Sequence, residues 1–155
     1  MKKNRHRRLG LVLFIAYLVL LSYFLFFAEN MGRSPDARAS YSYNLVPFKE
    51  IRRFIVYRDI LGYRAVFLNI FGNVAAFLPF GFFLPEIWRQ VGRWYTMIVL
   101  SFTTSLCIEL MQLVTKVGSF DVDDLLLNTI GGYLGYLLFR TARGVWYRYN
   151  ETNRK

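Results

Sequence analysis

Four carboxylates in apolar surroundings are the residues of this 155-residue chain best placed to do chemistry. Glu109 lies inside a long apolar run, and Asp121, Asp123 and Asp124 open another. Amides accompany them: Asn69, Asn73, Gln112, Asn128, and Asn44 in a more polar stretch. Asn69 and Asn73 are four apart, Glu109 and Gln112 three, Asp124 and Asn128 four, so each pair shares a helix face. Such a set suits two tasks. It can hydrogen-bond a lipid or sugar headgroup and attract an amine or a bridging divalent cation. Alternatively, Glu109 and the Asp121/Asp123/Asp124 carboxylates can act as acid and base or as metal ligands in a membrane enzyme. Against the enzyme, the sequence has no nucleophile with an adjacent base, no zinc motif and no phosphate loop, and Asp123 and Asp124 also suit a helix N-terminus.

The elements that must hold these residues are membrane spans. Hydrophobic residues make up 55% of the chain and charged residues 19%, more apolar surface than so small a soluble domain buries. Four stretches approach the ~20 apolar residues that cross a bilayer: Leu9 to Ala28, Ala65 to Pro85, Trp94 to Val114, and a shorter one from near Val122 to near Phe139. The first follows Lys2, Lys3, Arg5, Arg7 and Arg8 and reads as a retained anchor, because it is longer than a signal-peptide core and lacks an A-x-A site. Pro79 is expected to kink the second. Gly131 and Gly135 carry the GxxxG spacing of close helix packing. The single cysteine, Cys107, excludes an intrachain disulfide.

Charge supplies the orientation. The N-terminus, the 86–93 loop and the stretch from Arg140 onward hold 12 Lys and Arg with two acids, and the rest of the chain holds eight of each sign. The whole excess of +10 therefore gathers on one side, which places both termini in the cytoplasm. It also makes nucleic-acid binding an unneeded explanation. The expected organisation is a basic cytoplasmic tail at 1–8, a four-helix membrane domain at 9–139 and a second basic tail at 140–155, frayed after Gly144. On this layout every strongly polar membrane side chain lies in the outer half. Asn69 and Asn73 fall ~6 and ~12 Å below the outer end of the second span, and Glu109 ~8 Å below that of the third. Between spans one and two, residues 32–36 read as a loop. Pro47 suits the first turn of a helix. Phe48, Ile51, Phe54 and Ile55 then recur at helical spacing opposite Lys49, Glu50, Arg52 and Arg53. That pattern fits an amphipathic helix either in the outer membrane interface or packed on its own bundle.

Four segments together resemble the VanZ-like family of small bacterial membrane proteins. They are Asn44-Leu45-x-Pro47-Phe48; Asn69-x-x-Gly72-Asn73-x-x-x-Phe77-x-Pro79-x-Gly81-x-x-Leu84-Pro85; Glu109-x-x-Gln112; and Asp121-x-Asp123-Asp124-x-x-x-Asn128-x-x-Gly131-x-x-x-Gly135-Tyr136. The resemblance implies four transmembrane helices and, through the founding member, a contribution to teicoplanin resistance. It departs where the family often places a basic residue directly before the acidic motif: here stand Val117-Gly118-Ser119-Phe120, with Lys116 earlier. A ligand contact through that basic residue is not carried over. The expected protein is thus an all-α, multi-pass protein of the bacterial plasma or inner membrane. Its expected partners are membrane lipids or a lipid-linked envelope molecule, without a required cofactor.

Overall fold

The computed structural model describes residues 2–28 and 42–153. The expected loop at 32–36 lies outside them. Helix α1, Lys2–Tyr23, continues as a π-helical turn, Phe24–Ala28. A two-residue strand β1, Tyr43–Asn44, precedes two short helices, α2 (Lys49–Val56) and α3 (Arg58–Leu61). Three long helices follow: α4 (Tyr63–Ile87), α5 (Trp94–Thr115) and α6 (Val122–Thr152). Strand β2, Phe120–Asp121, lies just before α6 and pairs in parallel with β1, Tyr43 beside Phe120 and Asn44 beside Asp121.

Among the described residues three stretches are long and apolar enough to cross a membrane: Arg7–Phe26, Tyr63–Ile87 and Trp94–Thr115, with mean hydropathies of 2.5, 1.8 and 1.8. The protein is an all-α membrane protein but for the small ladder. Helix α6 departs most from its expected outline. It does not stop near Phe139 or fray after Gly144 but runs 31 residues to Thr152. Arg140, Arg143 and Arg148 are good helix formers, no proline lies among them, and the single Gly144 costs only about 1 kcal/mol, too little to end the helix. The N-terminal tail is likewise helical from Lys2. Helix α4 stays continuous through both Pro79 and Pro85. Pro79 deprives the Ala75 carbonyl of its usual partner, and the Tyr17 hydroxyl of α1 donates to the neighbouring Ala76 carbonyl at 2.7 Å.

Helices α4 and α6 pack backbone to backbone. A Cβ on Gly131 would overlap the Val74 carbonyl, and one on Gly135 the Leu78 carbonyl. Gly81 on α4 returns the contact, since its Cβ would overlap the Gly132 carbonyl. Small residues let van der Waals attraction act where a bilayer supplies no hydrophobic drive between helices. Around this seam Phe77, Phe80, Leu84, Ile87, Met97 and Tyr136 form the core, with Phe14 of α1 against it.

Pro47 lies ahead of α2 rather than in its first turn. The helix begins at Lys49, and its N-cap residue Phe48 adopts a left-handed conformation with φ 63°. The apolar residues of α2 divide: Ile51 and Phe54 are half-buried, whereas Phe48 and Ile55 are exposed.

Candidate functional site

Asp123 is the buried centre of the polar cluster, with 1% of its surface exposed. One carboxylate oxygen accepts the Phe48 N–H, and the other accepts those of Glu50 at 2.8 Å and Ile51 at 3.0 Å. The first N–H groups of any helix lack partners within it. Phe48 offers no side-chain oxygen, so Asp123, more than 70 residues away in sequence, caps α2 in its place.

Asp121 does two jobs with one oxygen. Its Oδ1 accepts the Asp123 N–H at 2.9 Å, capping α6, and the Asn44 side-chain amide at 3.0 Å. Asn44 closes its own turn by accepting the Val46 N–H at 3.2 Å. The Glu109 carboxylate accepts the Asp121 N–H at 2.9 Å. Gln112 donates to the Leu25 carbonyl at 3.2 Å, which ties α5 to the end of the first span. Asn73 donates to Asp124, joining α4 to the first turn of α6. Asn128 donates to the Ser105 hydroxyl at 2.9 Å, wholly inside the α5–α6 interface. The structure thus joins Asn44, Glu109, Asp121 and Asp123 in one network, with the Asn73–Asp124 pair beside it on α6. Asn128 forms a separate, deeper pair. Asn69 is half-buried and makes no side-chain hydrogen bond among the described residues.

The donors a cation would need are therefore largely committed. Both Asp123 oxygens receive backbone N–H groups. Among the described residues no three His, Cys, Asp or Glu side chains are grouped to hold a metal ion. Two shallow grooves lie away from the network, one along α4 at 63–71 and one between α4 and the far end of α6.

Two participants escaped the sequence reading. Ser101 and Ser105 are completely buried and stand eight and four residues before Glu109, so α5 carries one polar stripe from Ser101 through Gln112. Their four-residue spacing was the available signal. The Ser101 hydroxyl and the Asn128 carbonyl oxygen have no partner among the described residues. The capping of α2 by Asp123 had no local signal at all.

The chain matches the VanZ/LLP1 family over residues 14–143, a span that takes in every residue of this network. It belongs to that family. Protein VanZ of Enterococcus faecium is 33% identical over 76 residues, which cover 47% of this chain and 45% of that relative. The matched region is thus a little under half the length of the curated relative. No solved structure matches.

In this VanZ/LLP1 chain Asp121 also makes a pH test possible. Burial pushes its carboxyl above the ordinary Asp value, opposed by the Asp123 N–H and the Asn44 amide; the nearby Asp123 charge adds to the rise and Arg53 opposes it. A raised carboxyl contributes stability below its unfolded pKa of ~3.9 and loses that contribution as pH rises through the folded value. Asp121→Asn keeps an oxygen for both donors and does not ionise. Its thermal stability relative to wild type should therefore improve from pH 4 to pH 7. A difference that stays flat or shrinks would show that ionisation of Asp121 carries no penalty.

Proposed function

We propose that this VanZ/LLP1 protein is a non-enzymatic envelope protein that binds an outer-leaflet lipid, a cell-wall precursor or a lipoglycopeptide at the mouth of its bundle. In this reading α6 is a fourth transmembrane helix, α2 lies in the outer membrane interface, and both termini face the cytoplasm of a bacterial plasma or inner membrane.

One observation carries the proposal. The buried network around Asp123 fixes a short helix and its flanking turn at the polar ends of α4, α5 and α6. The turn, α2 and the following α3 present apolar side chains to the surface: Leu45, Val46, Phe48, Ile55, Val56 and Ile60 are all exposed. Lys49, Arg52 and Arg58 accompany them. A polar mouth framed by apolar and basic surface suits an amphiphile with an anionic or hydroxyl-rich head and an apolar tail. A lipid-tailed glycopeptide has that character, which accords with the teicoplanin link implied by the family. In this role the half-buried Asn69 and Asn73 contribute hydrogen bonds, Glu109 contributes negative charge to a ligand amine, and the buried Gln112 and Asn128 brace the helices beneath them.

The test compares teicoplanin and vancomycin susceptibility in one Gram-positive host expressing wild type or Glu109→Gln at matched membrane levels. Glutamine retains an oxygen for the Asp121 N–H, so the network's shape is preserved while the charge is removed. Protection against teicoplanin alone, lost in Glu109→Gln, is the expected result. Equal protection by both versions would remove Glu109 from the ligand site, and no protection by wild type would detach this chain from the resistance role.

A further inference from the structure

The far end of α6 carries surface that the outer network leaves unused. A groove runs between the end of α4 and the last turns of α6, lined by Phe82, Leu138, Ala142, Val145, Trp146 and Tyr149. The α6 members recur at three- and four-residue spacing and so form one helix face. From Leu138 to Tyr149 the groove extends roughly 16 Å. Val145, Trp146 and Tyr149 are 69%, 59% and 66% exposed.

Charge is arranged around the same segment. Arg140, Arg143 and Arg148 all lie on it, and no acid occurs between Asp124 and Glu151. Among the described residues none of the three takes part in an ion pair. Arg143 lies over the Phe139 and Tyr147 rings, with its guanidinium 5.9 and 5.5 Å from their centroids. Arg148 follows Val145 by three residues and borders the groove. With α6 as the fourth transmembrane helix of the proposed function, its length supplies the position: 31 residues extend about 46 Å, against about 30 Å of hydrocarbon, so its last turns reach headgroup level.

We propose that this segment binds an anionic phospholipid of the leaflet at which α6 ends. An acyl chain lies against Phe82, Leu138 and Ala142, the glycerol region meets Trp146 and Tyr149, and the phosphate is drawn by Arg148, with Arg143 a little over one turn before it and Arg140 adding only longer-range positive charge from the opposite face. Basic pockets between membrane helices are established sites for such headgroups, and interfacial aromatic rings sit at the same level. None of these residues belongs to the outer network, so loss of the outer ligand site would leave this proposal intact, although both take α6 as a membrane-crossing helix.

The experiment uses the full chain in mild detergent, with native mass spectrometry of bound phosphatidylglycerol against phosphatidylcholine of identical chains. Wild type is expected to retain phosphatidylglycerol preferentially. Arg148→Gln should reduce that preference roughly fivefold, the effect of one arginine near a charged surface. The triple variant at positions 140, 143 and 148 should abolish it, and Trp146→Ser should weaken both lipids. Equal retention of the two lipids by wild type would overturn the proposal. So would a preference that survives the triple variant, which would assign it to another basic surface such as the N-terminal helix. A lipid-independent dimer dissolved by Trp146→Ser would put a second copy of the chain in the groove and overturn it as well. Free glycerol phosphate added in excess should not displace the lipid; displacement would reduce the site to one for phosphate alone.

Discussion

Gly81→Ala should destabilise the protein by about 3 kcal/mol or more, at the upper end of what overpacking a core costs. The added methyl group would overlap the Gly132 carbonyl and come within 2.9 Å of the Tyr136 backbone nitrogen. Neither neighbour is a flexible side-chain end. Both belong to the backbone of α6, so relief requires the two helices to move apart. Separation would also loosen Gly131 from Val74 and Gly135 from Leu78, because all three contacts lie along one seam. Close packing is the main attraction between helices in lipid, so nothing replaces what is lost. Gly72 provides the control on the same helix: a methyl group there meets nothing within 4 Å. Gly72→Ala should be neutral or stabilising by roughly 0.5–1 kcal/mol through helix propensity. Thermal unfolding of the pair in one detergent decides the matter. Equal midpoints would mean that α4 and α6 are not in backbone contact.

Asp123→Asn should release α2 from the bundle almost as completely as Asp123→Ala. The wild-type carboxylate accepts at both oxygens, Phe48 on one side and Glu50 with Ile51 on the other. An asparagine must turn its amide hydrogens toward one of these N–H groups and leave it without an acceptor. Each hydrogen bond to a charged group contributes about 1.5–3 kcal/mol, and stranded buried donors add their own penalty. The local loss should therefore reach several kcal/mol, enough to let residues 49–56 open independently. Hydrogen–deuterium exchange of that segment should accelerate by roughly a hundredfold, the equivalent of ~2.7 kcal/mol. Asp121→Asn, which retains its single accepting oxygen, should leave the same amides protected. Unchanged exchange in both variants would show that α2 is held by its own apolar contacts and not by Asp123.

What was legible in the sequence was whatever depends on local spacing. Apolar runs of about 20 residues, two uncharged and one holding only Glu109, disclosed the three apolar spans, and the four-residue interval of Gly131 and Gly135 marked a face without side chains. The α2 pattern from Phe48 to Ile55 likewise located a short amphipathic helix. What was hidden depends on where distant segments meet. Asp123 reads as an ordinary first-turn acid, because the helix it caps lies far back in the chain. Phe48 gives no sign of a positive φ, since phenylalanine rarely adopts one. The buried serines of α5 were overlooked because one hydroxyl scarcely alters the apolarity of a span. The length of α6 was underestimated for a related reason: charge marks the end of a hydrophobic run, but it does not end a helix.

The Asp123 cap also imposes an order on biogenesis. Its donors at 48–51 emerge from the ribosome some 72–75 residues before the acceptor. At ~5–20 residues per second, the interval lasts roughly 4–15 s. Throughout it α2 has no partner for its first N–H groups other than water. The lock closes only once α4, α5 and the start of α6 have been delivered to the membrane. A chain stalled before Asp123 would carry both intervening spans and still leave the first turn of α2 uncapped.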